Sequence, residues 1–350
     1  MPKRLSGEQW VETCRRVFTS WGAPDDIAGC VARSLVGSDL AGVSSHGVMR
    51  IPSYHRFLRA GWLDPAARPE VVRESAASAL VESHWGFGQV AFWRAVELAI
   101  AKSKESGIAG VGVTHSGHAG RLGEYVEYAA QKGVIAIVMV SNGRPGGPLA
   151  PHGGAQRVLG TNPLAAGSPA GNHPPFVMDF ATSAVAAGKL ELLRGQAIPE
   201  GWVLNIAGEP ARMADEYFEG GALLPFGGHK GYGLAMLVEL LSGGLTGAGI
   251  TERPGETPTQ GAGGNPGFVI ALDIAQYTDP AEYARAVDAF FARLHGVTPA
   301  PRSGGVLIPG EIEERERARR RAEGIEVSDA VWDSIRAVAD EHGVSLDDIA

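Results

Sequence analysis

The heptapeptide SSHGVMR, Ser44 to Arg50, gathers two hydroxyls, an imidazole and a guanidinium between two apolar-periodic stretches. His46 can exchange a proton near neutral pH, and Arg50 offers a planar fork for a carboxylate. If a helix begins near Gly47, the two side chains share one face or its edge. The pattern suits a substrate R–CO–COO⁻. Arg50 would bind the substrate carboxylate, His46 would contact the carbonyl oxygen, and Ser45 would orient the imidazole ring of His46. A serine helix cap, a surface histidine and a solvated arginine fit the same residues, so this segment alone leaves both interpretations open.

A second cluster, THSGHAGRLG, places His115 and His118 in a glycine-rich link between a predicted strand and a predicted helix. Such links are where α/β proteins tend to place ligand sites. The two histidines could hold a metal in a lyase that also uses Asp179, but no nearby Cys or Glu completes a ligand set, so we expect no metal. Gly110 and Gly112 begin a G-x-G-x-x-G pattern that His115 interrupts, so the ordinary Rossmann fingerprint is absent.

Lys230 stands among glycines in LPFGGHKGYGLAM, at the start of a helix that is apolar nearly all round. The pattern predicts a buried helix. A lysine at a helix start opposes the helix dipole unless an anion is near, so the segment is a candidate phosphate or carboxylate cradle. A flexible glycine-rich connector is the alternative.

Two further segments place a polar residue at the end of, or next to, an apolar stretch of sequence. Asn162 precedes Pro163 in GTNP, so its backbone is expected to be extended and its side chain aimed. Asp179 lies near the end of the apolar strand PFVMDFATS, where a buried carboxylate needs a partner such as a histidine. A turn-forming Asn and a helix-capping Asp are the alternatives.

The elements that must position these side chains change character along the chain. The first 60 residues read as helices, and Ser6 is a candidate cap for the first of them. After Pro69 the chain alternates strand, helix and strand, which favours an α/β or α+β layer.

Composition narrows the partners. The chain has 350 residues, a net charge of −8 and no long basic block, so nucleic acid and anionic membranes are poor partners. Its two cysteines show no metal or redox spacing, which suits a reducing cytosol. No signal region precedes the first amphipathic pattern, and no apolar run reaches the roughly 18 residues needed to span a bilayer. We expect a cytoplasmic protein.

Seven segments, in order along nearly the whole chain, resemble the type 2 malate/L-lactate dehydrogenases, a family that includes sulfolactate, ureidoglycolate and diketogulonate dehydrogenases and piperideine-2-carboxylate reductases. The segments are SDLAGVSSHGVMRIPSY, SGHAGRLGEYVEYAAQKGVIAI, APHGGAQRVLGTNPLA, VMDFATSAVAAGKLEL, IPEGW, ALLPFGGHKGYGLAMLVELLSG and VLIPGE. The resemblance implies a non-Rossmann α/β NAD(P)-binding domain over residues 75–306. It also implies a helical domain from residues 1–74 and about 307–350 that contributes substrate residues, and a homodimer.

The resemblance also assigns roles to residues. His46 would give a proton to the substrate carbonyl, with Ser45 and Asp179 as further catalytic residues, while Arg50, His118 and Asn142 would contact the substrate. The residues implied on the cofactor side are His118, Thr161, Asn162, Asp179, Ala181, Thr182, Ser183, Lys230, Gly231, Pro309, Gly310 and Glu311.

Some positions depart from the family pattern. Gly117 stands where Asn is usual, Ala119 where a bulky residue is usual, and His229 where a tyrosine is common. Because Gly117 and Ala119 flank His118, we expect them to enlarge the pocket. Arg121 and Arg144 are candidates for binding a second acidic group of the substrate.

The expected reaction is reversible hydride transfer between NAD or NADP and a small anionic 2-oxo acid, with His46 as an imidazolium proton donor. No acidic residue follows a fingerprint, so the sequence does not choose between the two nicotinamides. The alternatives are reduction of cyclic imino acids of the piperideine- or pyrroline-2-carboxylate type and, in another class, the metal-dependent lyase.

Overall fold

The computed structural model describes residues 3–142, 147–250 and 264–349, and the elements below lie within those ranges. The helices are α1 Gly7–Ser20, α2 Asp25–Leu40, α3 Ile51–Arg59, α4 Gly88–Ser106, α5 Gly123–Gln131, α6 Ala187–Leu192, α7 Asp215–Phe218, α8 His229–Val238, α9 Pro280–His295, α10 Glu311–Glu323 and α11 Asp329–Glu341. The strands are β1 Lys3–Leu5, β2 Glu70–Glu74, β3 Ser78–Glu82, β4 Ile108–Thr114, β5 Val134–Val140, β6 Leu164–Ser168, β7 Phe176–Phe180, β8 Val203–Leu204, β9 Ala222–Leu223, β10 Gly267–Asp273 and β11 Ile325–Val327.

A mixed sheet forms the centre of the molecule. Within the described residues its order is β2-β3-β4-β10-β5-β6-β7. β3 and β4 are parallel, while the other neighbouring strands are antiparallel. Helices α4 and α5 pack on the sheet through a core that includes Phe92, Val96 and Tyr125. The predicted mixture of α and β layers is confirmed.

Both ends of the chain build one helical core. Ser6 and Gln9 form a capping box at the start of α1, as expected for Ser6. Trp10 of α1 packs edge-on against Trp332 of α11 with ring centroids 5.7 Å apart, and β1 pairs with β11. The N-terminal helices therefore depend on residues more than 300 positions away in the sequence.

A third apolar cluster was not expected from the sequence. It lies between residues 149 and 235 and includes Leu149, Leu190, Val203 and Leu223, all of them buried. This cluster supports the strand pair of β8 and β9 and the inner side of α8.

The prediction that α8 is a buried helix is wrong. Ala235 and Val238 are buried, but Met236 and Leu237 are 42% and 47% exposed, and Leu240 in the π-helical turn that follows is 52% exposed. A helix that is apolar all round carries no signal for which side is covered, and here only one side packs on its own chain.

In the described part of the chain, no helix is both long and apolar enough to cross a membrane.

Candidate active site

The segment Ser44–Arg50 becomes helical just after Gly47, close to the possible helix start that the sequence suggested, but its first turn is a 3-10 turn. It forms two single 3-10 turns, Ser44–His46 and Val48–Arg50, and α3 starts at Ile51. Gly47 between them is extended, with φ −90° and ψ −156°. A β-carbon there would lie 2.1 Å from Oδ2 of Asp39, so only glycine fits beside that carboxylate. The break places His46 and Arg50 on separate turns.

Asp39 holds this segment from beneath. It is 1% exposed, and its Oδ2 accepts the Val48 N–H at 2.7 Å. Burial raises the pKa of Asp39 to about 6, so the carboxylate remains mostly charged at pH 7. Arg320 of α10 donates to the Asp39 carbonyl at 2.8 Å and to Ser44 Oγ at 3.3 Å. Neither Asp39 nor Arg320 stands out in the sequence, because their role depends on α10 meeting α2.

His46 and His118, predicted from separate motifs, face each other. Their rings are nearly parallel, at 25°, with centroids 5.4 Å apart. Ser45 Oγ lies 3.0 Å from His46 Nδ1, and Arg50 Nε donates to the Ser45 carbonyl at 2.5 Å. Ser45, His46 and Arg50 are thus linked within one short segment. His118, from the β4–α5 connection, stacks against this group.

A hydrogen-bond chain sets the tautomer of His118. Gln89 Nε2 donates to the Tyr54 hydroxyl at 2.8 Å, and that hydroxyl lies 2.7 Å from His118 Nδ1. The Gly120 N–H donates to the same nitrogen at 3.2 Å. Because Nδ1 accepts the amide hydrogen, the ring proton resides on Nε2, which becomes a donor. Tyr54 was not among the candidate residues from the sequence, because its role depends on α3 meeting the β4–α5 connection.

Both histidines are neutral in the absence of substrate. Burial, together with repulsion by the guanidinium groups of Arg50 and Arg121, lowers the pKa of His46 to about 3. Burial and Arg50 hold the pKa of His118 well below its ordinary value. The imidazolium expected at His46 therefore requires an anion on Arg50, whereas the neutral ring is ready to accept a proton.

Asp179 lies elsewhere in the network than expected. Its Oδ2 accepts the Gly123 N–H at 2.7 Å, at the start of α5, so its partner is a backbone amide instead of a histidine.

Arg121, a candidate for binding a second acidic group, is 3% exposed and donates to Glu127 at 2.8 Å. Its pairing with Glu127 argues against its use for a second acidic group of the substrate. Arg144, the other candidate, lies outside the described residues.

The family departures beside His118 do not open the pocket as expected. A β-carbon on Gly117 would lie 2.7 Å from the Gly86 carbonyl oxygen, so backbone already fills that space. Ala119 is 2% exposed and belongs to the core under the sheet. His229 is the exposed first residue of α8, with its ring centroid 6.0 Å from that of His152.

The fold joins three segments predicted on the cofactor side. The Thr182 N–H donates to the Thr161 carbonyl at 2.8 Å, the Phe226 N–H to the Thr182 carbonyl at 3.1 Å, and the Gly231 N–H to the Phe226 carbonyl at 3.0 Å. Ala181 and Ser183 flank Thr182 in the chain, and exposed Lys230 precedes Gly231. These residues therefore share one neighbourhood at the start of α8.

Asn162 is held in a conformation unusual for a residue with a side chain. Its φ is +37°, in contrast to the extended backbone expected before a proline. Its Nδ2 donates to the Ala235 carbonyl at 2.9 Å and to Glu239 at 2.8 Å. Its Oδ1 is buried and accepts nothing from the described residues. Asn142 lies beside it, since a β-carbon on Gly160 would contact both side chains.

The segment Pro309–Glu311 reaches the sheet at the start of β7. The Pro309 carbonyl accepts the Val177 N–H at 2.9 Å, and Gly310 has a φ of +104°. Glu311 Oε1 lies 2.9 Å from Nε2 of His295. These contacts place the segment two residues along the strand from Asp179.

The metal-dependent lyase finds no support in the geometry. His115 Nδ1 lies 2.7 Å from Glu82 Oε2, His118 is bound by Tyr54 and Gly120, and Asp179 by Gly123. The three side chains do not bring ligand atoms together in the described structure.

The mixed sheet lacks a Rossmann fingerprint, and a pair of stacked histidines lies beside an arginine. A family model described as malate/L-lactate dehydrogenase matches residues 5–336. An L-sulfolactate dehydrogenase of Methanothermobacter thermautotrophicus is 37% identical over 352 residues, 98% of either chain. A delta(1)-pyrroline-2-carboxylate/delta(1)-piperideine-2-carboxylate reductase of Pseudomonas syringae pv. tomato is 34% identical, over 96% of either chain.

The solved sulfolactate dehydrogenase from Methanocaldococcus jannaschii has a TM-score of 0.90 at 33% identity and covers 99% of both chains. This chain belongs to the malate/L-lactate dehydrogenase family. It is therefore an oxidoreductase, as the sequence predicted.

Proposed function

We propose that this enzyme transfers a hydride reversibly between NAD(P)H and the carbonyl carbon of a small 2-oxo acid. The observation that carries the proposal is the stacked pair of His46 and His118 beside the Arg50 guanidinium. Arg50 binds the substrate carboxylate and thereby brings an anion next to His46. Burial is the main reason that the pKa of His46 is low, and the anion offsets the repulsion by arginine that lowers it in addition.

The chain's own residues account for the proton. In oxidation of a 2-hydroxy acid, neutral His46 accepts the hydroxyl proton while Ser45 Oγ orients the ring through Nδ1. In reduction, His46 returns that proton to the carbonyl oxygen. His118 donates from Nε2 and stabilises the negative charge that develops on oxygen. Proton transfer of this kind contributes on the order of 10² to 10⁴ in rate.

The residues fit a nicotinamide dinucleotide. Asn162 Oδ1 is a buried acceptor without a donor among the described residues, which suits a carboxamide or ribose donor. Gly227 and Gly228 have positive φ, and with exposed Lys230 they form an anion cradle at the start of the ten-residue helix α8. When bound, NAD(P)H supplies the hydride. Thr161, Ala181, Thr182, Ser183 and Gly231 line this neighbourhood, while Pro309, Gly310 and Glu311 approach from the start of β7.

Reduction of a cyclic imino acid is the second candidate, because the family includes a pyrroline-2-carboxylate reductase 34% identical to this chain. Arg50 would bind the same carboxylate. A protonated imine nitrogen already carries its hydrogen, so His46 would matter less.

A spectrophotometric screen of 2-oxo acids, 2-hydroxy acids and cyclic imino acids with both nicotinamides tests the proposal. We expect turnover of a 2-oxo acid, and a higher KM for it in Arg50→Lys because a point charge loses the planar fork. Turnover confined to cyclic imino acids would favour the second candidate. No nicotinamide oxidation with any carboxylate would refute both.

We propose further that residues 75–306 bind the cofactor and that residues 1–74 with about 307–350 supply His46 and Arg50. The shared core of the two chain ends supports this division.

We also propose a cytoplasmic location, which is supported by Cys14 and Cys30, both of them free thiols. A homodimer is supported by the exposed apolar side of α8, which a second copy would cover.

A further inference from the structure

A cluster of metal-binding side chains lies outside the proposed active site. His55 is on α3, Glu341 is the last residue of α11, and His342 follows it. Each of the three offers one ligand atom, and these atoms all lie within 4.8 Å of one another. No other group of three such side chains in the described part of the chain meets this distance. From this cluster we propose a site for a divalent transition metal of the Zn²⁺ class, bound by His55, Glu341 and His342.

The distances approach those of a tetrahedral site. Nε2 of His55 lies 3.0 Å from Nε2 of His342, and 3.8 Å from Oε1 of Glu341. Tetrahedral zinc with bonds of about 2.0–2.1 Å separates its ligand atoms by roughly 3.3 Å. The two distances from His55 lie within about half an ångström of that value, and the ligand atoms of Glu341 and His342 lie within 4.8 Å of each other, so rotation of the exposed Glu341 side chain would bring the set together around an ion. Two imidazoles and one carboxylate are a donor set typical of zinc, and water would complete the four ligands.

Burial and access both favour binding. His55 is 8% exposed, so its ring is held in place by packing, whereas the Glu341 side chain is 46% exposed and leaves an entry path. The Trp21 ring packs against both histidines, with centroids 5.7 Å from His55 and 6.1 Å from His342. The site is thus rigid on its inner side and open on its outer side.

Arg59 competes for the same carboxylate. Its Nη1 donates to Glu341 Oε1 at 2.9 Å, from a side chain that is 68% exposed. An exposed ion pair of this kind contributes little to stability, so the metal can displace it. Removing the arginine should therefore strengthen metal binding.

The metal would join two distant parts of the chain. His55 and His342 are 287 positions apart, and His55 directly follows Tyr54, whose hydroxyl binds His118. A metal bound to the folded chain alone stabilises it by mass action. The ion would thus fasten α11 to the helix that orients the proposed active site.

Calorimetric titration of the purified full chain with ZnCl₂ tests the site. We expect one saturable zinc per chain that includes these ligands, at least tenfold weaker binding in His342→Gln and in Glu341→Gln, and severalfold tighter binding in Arg59→Gln. These positions lie outside the proposed catalytic machinery, and circular dichroism checks that each variant folds. Absence of saturable zinc binding, or affinity and stoichiometry unchanged in His342→Gln, would overturn the proposal.

Fluorescence gives a second readout that a merely structural histidine pair would not move. Cu²⁺ bound beside Trp21 should quench its emission, and Zn²⁺ should compete with the quenching. The saturable quenching should disappear in Trp21→Phe and weaken at least tenfold in affinity in His342→Gln. Quenching that is the same in both variants would place the copper elsewhere and contradict the site.

Discussion

His46 and His118 show how position changes the chemistry of a residue. As free side chains, both would titrate near pH 6.5. In the fold, burial and neighbouring arginines keep them neutral, and the Gly120 amide and the Tyr54 hydroxyl direct the proton of His118 to Nε2. In the proposed mechanism, the His46 ring is the base and the His118 ring is a fixed donor.

His46→Ala should lose between about 10² and 10⁴ in kcat while nicotinamide binding is retained, since the ring transfers a proton and does not belong to the α8 cradle. Steady-state kinetics and a fluorescence titration with NADH and NADPH would measure the two effects separately. Turnover equal to that of the wild type would remove His46 from the proton step.

The low pKa of His46 predicts different pH dependences for the two directions. Above its pKa of about 3 the ring is neutral, so kcat/KM for 2-hydroxy acid oxidation should remain level between about pH 5 and 8. Reduction needs the protonated ring, whose population falls about tenfold per pH unit, and kcat/KM should fall with it. An acidic break near pH 6.5 in the oxidation profile would mean that His46 titrates as an ordinary histidine.

At the level of elements, the segment between α2 and α3 depends on packing from the far end of the chain. Asp39 of α2 binds the Val48 amide, while Arg320 of α10 binds the Asp39 carbonyl and Ser44. The residues of this segment are visible in the sequence, but the clamp that shapes it is not.

Gly47→Ala should displace this clamp, because the new methyl group would overlap the Asp39 carboxylate. We expect a loss of about 2 kcal/mol in the free energy of unfolding and a kcat/KM reduced at least tenfold. Urea unfolding and initial rates provide the measurements.

Gly37→Ala is the matched control within α2. A β-carbon at Gly37 would have nothing within 4 Å, so the helix should gain up to about 1 kcal/mol. If Gly47→Ala behaves like Gly37→Ala, the close approach to Asp39 does not constrain the segment.

At the scale of the whole molecule, α8 and the π-helical turn that follows it expose an apolar face within the described residues. The sequence marked this helix as apolar, and a helix buried in its own chain was the natural expectation. The exposure of Met236, Leu237 and Leu240 is the observation that supports the proposed homodimer.

Leu240→Glu should therefore shift the protein from dimer to monomer, because it buries a charge in the proposed interface. Val297→Glu is the control, since Val297 is 51% exposed, close to the 52% of Leu240, and follows α9 in the chain. Sedimentation velocity distinguishes the species. A wild-type monomer, or a Leu240→Glu dimer of unchanged stability, would contradict the proposed interface.

The sequence by itself determined the mixed α/β class and the family, and it supplied the residues proposed to carry the chemistry, because motifs and hydrophobic periodicity are local properties of the chain. It did not determine the break at Gly47, the amide partner of Asp179, the exposed side of α8 or the meeting of His55 with Glu341 and His342. Those depend on contacts between residues tens to hundreds of positions apart. Burial also lowers the pKa of His46 and His118, and burial exists only once the chain has folded.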